Sequence, residues 1–174
     1  MRLSREPATL SKLATGSDDI GTRVTRVLER VGWPGKPGEA APVPPLNAEQ
    51  QKRYDAGQEV YKNICQGCHQ PDGRGQDRLA PSLVDSPLAL APAEVTTRIL
   101  LNGKEGSIGL MPPIGSAISD EQIASVLTYV RREWGQTGTP VEPGTVANVR
   151  TLTKERSRPW TDAELSALLQ KQQQ

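Results

Sequence analysis

Large apolar side chains are scarce in this sequence of 174 residues. It contains no Phe, three Trp and three Tyr, so aromatic residues make up only 3% of the chain. Leu, Ile and Val together reach about a fifth of the residues, close to the level below which chains stay disordered. The net charge of +1, however, is far from the high net charge of a typical disordered chain. The composition therefore predicts a folded chain in which something other than side chains fills the middle of the interior.

Long apolar runs, basic tracts and a leader sequence are also missing. No apolar run approaches the roughly 18 to 20 residues of a membrane span. Residues 1–30 lack the apolar core of a secretory signal. From these absences we expect no transmembrane segment and no export signal within the chain. Acidic and basic residues are nearly balanced along the sequence, which argues against a nucleic-acid partner.

Proline and glycine divide the sequence into parts. Residues 18–32 have apolar side chains at helical spacing and predict an amphipathic helix, and a shorter helix opens near Pro7. The segment 33–45 holds five prolines and two glycines, which cannot continue a helix and indicate a linker. We therefore predict an N-terminal helical extension, a linker, a main domain and a C-terminal extension, over 1–32, 33–46, 47–135 and 136–174.

Capping sequences predict three helices in the main domain. A capping box at Asn47 opens the first helix, which runs directly into Cys65. A short second helix ends at Asn102, and a second capping box at Ser119 opens a third helix that ends near Gly135. A similar capping pair predicts a short terminal helix in the C-terminal extension. Because alternation with a period of two persists nowhere, we expect an all-α domain with long irregular connections.

The segment 65–69 carries the motif with the clearest chemistry. It reads Cys-Gln-Gly-Cys-His, the pattern for covalent attachment of a c-type haem. Two thioether bonds fix the porphyrin against this turn, and the histidine that follows is then held under the iron. A neutral imidazole nitrogen is a good ligand for haem iron. We predict that Cys65 and Cys68 attach one haem c and that His69 is an axial ligand.

Met111 is the candidate for the second axial ligand. His69 is the only histidine, and Met111 is the only methionine after the initiator. A thioether is a known sixth ligand of low-spin haem iron, and it favours the ferrous state. Pro112 and Pro113 follow directly and would keep the backbone here extended. We therefore predict that Met111 completes the coordination of the iron.

With these motifs on one chain, residues 50–135 resemble a class I monohaem cytochrome c. The resemblance implies the cytochrome c fold, with three to four helices wrapped around one covalently bound haem and the first and last helices crossing closely. It also implies that Pro81 offers its carbonyl oxygen to the other ring nitrogen of His69. Besides the motif at 65–69 and the segment around Met111, it rests on Gly57, Tyr61, the segment 80–83, Val126 and Tyr129.

The flanking segments are similar to those of C-terminal cytochrome domains fused to bacterial periplasmic dehydrogenases, some with quinoprotein propellers and some with helical repeats. This resemblance implies an electron carrier rather than an enzyme. It implies a fused or partner dehydrogenase as electron donor and a cytochrome or terminal oxidase as acceptor. It also implies a periplasmic or otherwise extracytoplasmic location.

Other roles fit parts of the pattern. Cys65 and Cys68 have the spacing of a redox dithiol, although there a strand precedes the motif, whereas here a helix does. Together with His69 they supply three possible zinc ligands, but the chain has no further Cys or His to complete a structural site. The flexible side chain of Met111 is also suited to filling an irregular gap in a core.

Two alternative functions also remain open. One is a haem enzyme or gas-binding protein with an open distal site, and the other is a sensor that signals through its extensions. The first requires Met111 to be off the iron, and with His69 as proximal ligand no other histidine remains for acid–base chemistry. Three cations are candidates to pair with the haem propionates or are solvated surface charges: Arg74, Arg98 and Lys104.

Overall fold

The computed structural model describes the chain at residues 3, 5–16, 18–33, 36 and 43–171. The chain forms two compact units, Met1–Pro45 and Leu46–Gln174. None of the helices in these described ranges is long and apolar enough to cross a membrane. Every residue predicted to bind haem lies in the second unit.

The first unit contains two helices that pack against each other, as predicted for the N-terminal extension. They are α1 (Ala8–Leu13) and α2 (Asp19–Glu29). α2 begins after Asp18, whose carboxylate accepts a hydrogen bond of 2.7 Å from the backbone N–H of Gly21. Such a cap satisfies one of the free N–H groups at a helix start. Most of the linker predicted for 33–46 lies outside the described residues.

The second unit is mostly helical, and the two helices with predicted capping boxes begin after Asn47 and Ser119, as predicted. Asn47 and Gln50 exchange side-chain and backbone hydrogen bonds of 2.8 and 3.1 Å, and Ser119 and Gln122 form the same reciprocal pair. A π-helical turn, Tyr61–Cys65, continues the helix capped by Asn47 into the attachment motif. The helices are α3 (Ala48–Val60), α4 (Gln66–His69), α5 (Ala93–Asn102), α6 (Asp120–Arg132), α7 (Pro143–Leu152) and α8 (Asp162–Lys171).

Helices α3 and α6 pack closely at Gly57, as predicted. A Cβ atom added to Gly57 would collide with the carbonyl oxygen of Ser125 and would lie 2.8 Å from the Cβ atom of Tyr129. One turn further along, the rings of Tyr61 and Tyr129 lie 5.3 Å apart between centroids. Glycine therefore lets the two backbones approach, and the aromatic rings fill the space beside the contact.

The domain is mostly helical, as expected, but it also contains a small sheet of three short strands. β1 (Lys104–Gly106) pairs antiparallel with β2 (Gly109–Met111) and parallel with β3 (Trp160–Thr161), in the order β2-β1-β3. These strands have two or three residues each, too few for an alternating pattern to show in a sequence. The parallel pairing of β1 with β3 joins segments that lie far apart along the chain.

Residues 136–171 are packed into the second unit. The sequence predicted only the terminal helix there, α8, and α7 was missed because no side chain caps it and Pro143 stands in its first turn. Helix α7 buries Val146 and Val149 in the same cluster as Leu127 of α6. Leu165 of α8 is fully buried beside α5. The C-terminal segment therefore shares its core with the helices of the predicted main domain.

Candidate functional site

A largely apolar cavity of about 350 Å³ lies in the second unit, between α5, α6 and the loops that follow α4 and β1. Its volume is within the range of small-molecule and cofactor sites. Five of its lining residues are those singled out from the sequence: Cys65, Cys68, His69, Pro81 and Met111. The fold thus brings all the predicted haem-binding residues to a single cavity.

His69 is presented to this cavity with one ring nitrogen already engaged. Its side chain is buried, and Nδ1 lies 3.1 Å from the carbonyl oxygen of Pro81. Because a carbonyl oxygen only accepts, Nδ1 carries the proton, and the lone pair of Nε2 is left for a metal. Burial lowers the pKa of His69, against the opposing effect of the hydrogen bond to Pro81. Burial thus favours the neutral imidazole, the form that binds iron.

The carbonyl group of Pro81 is held in place by a tight loop. Gly75 has a φ of 74°, and a Cβ atom added there would collide with the carbonyl oxygen of Ala80 and lie 2.6 Å from that of Pro81. The backbone N–H of Gly75 donates to the carbonyl oxygen of His69 at 2.9 Å, and that of Gln76 donates to the carbonyl oxygen of Ala80 at 2.9 Å. The sequence analysis missed Gly75, because its role depends on a contact that only the folded loop makes.

Tyr61 supports the other side of the motif. Its hydroxyl group donates a hydrogen bond of 2.6 Å to the carbonyl oxygen of Gln70, the residue after His69. Gln70 has a φ of 63°, a conformation that side-chain-bearing residues rarely adopt. Burial, followed by the nearby Cys65 thiol, raises the pKa of Tyr61, so the hydroxyl group stays protonated and remains a donor. This bond holds the chain in the turn that leaves the attachment motif.

The two cysteines have the properties of attachment sites rather than of a redox dithiol. Both thiols are free; Cys65 is half-buried and Cys68 is exposed. Burial, with a smaller contribution from Cys68, raises the pKa of Cys65 to about 11. Redox-active Cys-x-x-Cys thiols instead have lowered pKa values. Within the described residues, no group of three or more His, Cys, Asp and Glu side chains is placed to hold a metal ion.

Met111 is the last residue of β2 and reaches the same cavity from another element. Its side chain is half-buried and packs against the cluster of Val95, Ile99 and Leu165. Its carbonyl oxygen lies close to Gly103, where an added Cβ atom would approach it to 2.7 Å. Gly103 also has a φ of 78°. The turn between α5 and β1 therefore requires glycine both for its backbone conformation and for the close approach of Met111.

The three cations considered for the propionates differ in position. Lys104 lines the cavity, its side chain is 18% exposed, and its Nζ lies 2.7 Å from a carboxylate oxygen of Asp162. Arg74 and Arg98 are not among the lining residues. Arg98 instead donates to the carbonyl oxygen of Glu94 at 2.8 Å. Of these three cations, it is Lys104, paired with Asp162, that lines the cavity.

These residues fit a covalently bound haem. The cavity wall is mainly apolar and carries two thiols, an oriented neutral imidazole and a thioether. Imidazole and thioether are the two donors that many c-type cytochromes offer to iron. The Cys-x-x-Cys-His spacing and the shared cavity together match the chemistry of the cofactor predicted from the sequence.

Over the part of the chain that contains this cavity, the sequence is similar to known cytochrome proteins. Residues 52–130 match the family described as cytochrome C oxidase, cbb3-type, subunit III. The chain is 31% identical over 101 residues to the cytochrome c subunit of alcohol dehydrogenase (quinone) from Gluconobacter oxydans strain 621H, which covers 53% of this chain and 20% of that protein. It is 32% identical over 110 residues to the fructose dehydrogenase cytochrome subunit of Gluconobacter japonicus, which covers 57% and 23%.

Among solved structures, the c-type cytochrome XoxG from Methylobacterium extorquens AM1 aligns with a TM-score of 0.40 and 27% identity, over 59% of this chain and 65% of that one. The chain spans about a fifth of the length of the curated relatives that it matches. The cofactor of such a cytochrome c domain is covalently bound haem c, and the chain's two cysteines are Cys65 and Cys68. Residues 52–130 therefore form a cytochrome c domain that matches the family described as cytochrome C oxidase, cbb3-type, subunit III, and this domain has the cytochrome c fold.

Proposed function

We propose that this chain is an electron carrier that transfers single electrons through a haem c with His69 and Met111 as axial ligands. In this proposal Cys65 and Cys68 form the thioether bonds, and Pro81 orients His69. The observation that supports it most is that these five side chains line one largely apolar cavity, with Nδ1 of His69 bonded to Pro81 and Nε2 left for iron.

The residues around the cavity favour rapid transfer. A haem bound here supplies the one-electron couple of its iron. His69 is held by Pro81, and Met111 is held by the pairing of β2 with β1, so both ligands keep their positions in either oxidation state. The largely apolar wall limits the access of water, which reduces the reorganisation that accompanies a change in charge. A thioether ligand also raises the reduction potential.

The partners are proposed from the relatives and from the rim of the cavity. The relatives named above are cytochrome subunits of alcohol and fructose dehydrogenases, and we propose a dehydrogenase as the electron donor and a cytochrome or terminal oxidase as the acceptor. Periplasmic location follows from the same proposal. Leu79 and Leu110 line the cavity and are 50% and 60% exposed, which suits a small, transient contact between redox partners.

An optical spectrum of the oxidised holoprotein tests the axial ligands. A bond between methionine and ferric haem gives a weak near-infrared band, which we expect in the wild type and not in Met111→Ala. We also expect Met111→Ala to bind azide when oxidised and carbon monoxide when reduced. Leu110→Ala is the matched control, because it changes the neighbouring, exposed residue of β2 and should keep the band.

A wild-type protein that lacks the band and binds azide readily would contradict the proposal. It would favour an open distal site, as in a peroxidase-like or gas-binding protein. A spectrum with the band that survives in Met111→Ala would show that another residue is the ligand.

A further inference from the structure

The C-terminal segment and the strand that ends at Met111 belong to one small sheet. Lys104 of β1 lies opposite Met111 of β2 on one side and opposite Trp160 of β3 on the other. The backbone N–H of Trp160 donates to the carbonyl oxygen of Gly103 at 3.0 Å. A continuous set of backbone contacts thus connects the candidate ligand to a part of the chain that the family match at 52–130 does not include.

An ion pair at the cavity wall strengthens this connection. Asp162, the first residue of α8, lies 2.7 Å from the Nζ atom of Lys104, and both residues line the cavity. The indole N–H of Trp160 donates to the side-chain oxygen of Asn102 at 3.3 Å. Trp160 of β3 and Asp162 of α8 therefore contact Asn102 and Lys104, which lie on either side of the turn between α5 and β1.

Apolar contacts also connect α8 with Met111. Leu165 of α8 is fully buried in a cluster with Val95 and Ile99 of α5, and Met111 and Trp160 pack against that cluster. On β2 itself, Leu110 is 60% exposed. The packing that supports Met111 therefore comes from the side where α5 and α8 lie.

Trp160 is itself held in place. The guanidinium group of Arg156 lies 3.5 Å from the centre of its ring, in a cation–π arrangement. The same guanidinium group donates to the carbonyl oxygen of Pro159 at 2.8 Å and to a carboxylate oxygen of Glu164 at 2.7 Å. These bonds join β3 to the first turn of α8, so the segment 160–171 forms one ordered support.

We propose that the segment 160–171 is a positioning element for Met111, with Asp162 and Leu165 as its positioning residues. It holds β1 and β2 so that the thioether stays directed to the haem cavity, and weakening it releases Met111 from ferric iron more readily. This inference rests on the proposed function, because it takes Met111 as the ligand. An external ligand such as azide competes with Met111, so its apparent affinity measures how firmly the thioether is held.

Azide titration of the oxidised holoprotein, followed by the near-infrared band, tests this proposal. We expect Asp162→Asn to raise the apparent azide affinity about two- to fivefold, because one partly exposed ion pair is lost. We expect Leu165→Ala to raise it about tenfold or more, because it leaves a cavity in the cluster against which Met111 packs. In both variants the band should be displaced at lower azide concentration than in the wild type.

Two control variants separate positioning from general loss of stability. Val149→Ala removes a buried side chain of α7 from a different cluster and should lower the melting temperature without changing the azide affinity. Glu59→Gln removes an ion pair of 2.9 Å between Glu59 of α3 and Lys62 of the π-helical turn. It should leave the melting temperature and the azide affinity nearly unchanged. Asp162 is 61% exposed, so Asp162→Asn keeps the test decisive even if Leu165→Ala does not fold.

The outcomes distinguish this inference from the proposed function. A wild type with the band, lost in Met111→Ala, and variants Asp162→Asn and Leu165→Ala with wild-type azide affinity would overturn the positioning role alone. The positioning role also fails if Val149→Ala raises the affinity as much as Leu165→Ala. A wild type without the band would overturn both proposals together.

Discussion

The Nδ1 atom of His69 and the carbonyl oxygen of Pro81 lie 3.1 Å apart, and this contact determines which nitrogen the histidine offers to the cavity. The contact depends on Gly75, whose missing Cβ atom leaves room for the carbonyl groups of Ala80 and Pro81. A hydrogen bond from Nδ1 makes the imidazole a more basic ligand and so favours ferric iron. With His69 as the proposed ligand, we expect the reduction potential to depend on the geometry of a loop that the haem motif itself does not contain.

Substitution of Gly75 by alanine is expected to raise the reduction potential. The added Cβ atom would displace the carbonyl group of Pro81 and weaken its bond to His69. A loss of about 1 kcal/mol from that bond in the ferric state corresponds to a rise of about 40 mV for a one-electron couple. Potentiometric titration of the holoprotein measures it. The control is Gly144→Ala, where nothing lies within 4 Å of the added atom, and it should leave the potential unchanged. A Gly75→Ala protein with the reduction potential of the wild type would contradict the expectation.

The protein without attached haem is expected to have little stable helix. The cavity of about 350 Å³ would stand empty in a chain with few large apolar side chains. We expect Cys65→Ala with Cys68→Ala, expressed without attachment machinery, to give a weak helical signal in circular dichroism and no cooperative melting. The holoprotein is the reference. A cooperatively folded apo chain would show that the side chains alone complete the core.

The helix crossing at Gly57 is expected to tolerate no larger residue. Gly57→Val would force Val atoms against the carbonyl oxygen of Ser125 and the Cβ atom of Tyr129. Overpacking of this kind costs about 1–3 kcal/mol or more. Thermal unfolding of the holoprotein should therefore show a clear fall in melting temperature. Gly144→Ala in α7 has open space around it and is expected to stabilise the protein by up to about 1 kcal/mol; equal effects of the two changes would rule out a tight crossing.

Glu164 is expected to make the C-terminal segment sensitive to acid. The side-chain hydrogen bond from Arg156, followed by the backbone N–H of Thr161, lowers the pKa of Glu164 from 4.5 to about 2. Because the pKa is depressed in the folded state, the stabilisation is complete above about pH 4.5 and is lost as the pH falls towards 2.

Melting curves of the wild type and of Glu164→Gln between pH 5 and pH 2 test this link. Between pH 5 and pH 2 the melting temperature of the wild type should fall further than that of the variant, because the variant has no carboxylate at this position. Parallel curves would mean that Glu164 does not contribute to the acid response. Asp77→Asn, an exposed carboxylate 3.9 Å from Arg78, is the control and should follow the wild type.

Much of the helical framework follows from local features of the sequence. The capping boxes at Asn47 and Ser119 and the capping pair of Thr161 with Glu164 act within three residues, so they are readable without the fold. Helix α7 lacks such a cap and was missed. Its valines are buried against α6, a contact between segments that no local pattern encodes.

The chemistry of the site was determined by the sequence itself. Five consecutive residues at 65–69 define the attachment motif, and a single histidine and a single internal methionine leave one candidate for each axial position. Composition added the shortage of large apolar groups, which a bound porphyrin accounts for. These conclusions needed no tertiary structure because residue type and close spacing carry them.

What only the tertiary structure decided is how those residues are supported. Gly75 holds the partner of His69 by a contact across a loop, and Asp162 reaches Lys104 through a parallel pairing with a distant segment. Short strands and single close approaches gain their stability from the packing around them, so the sequence by itself carries no periodic trace of them. The candidate ligands could be named from the sequence alone, whereas the elements that position them appear only once distant segments meet.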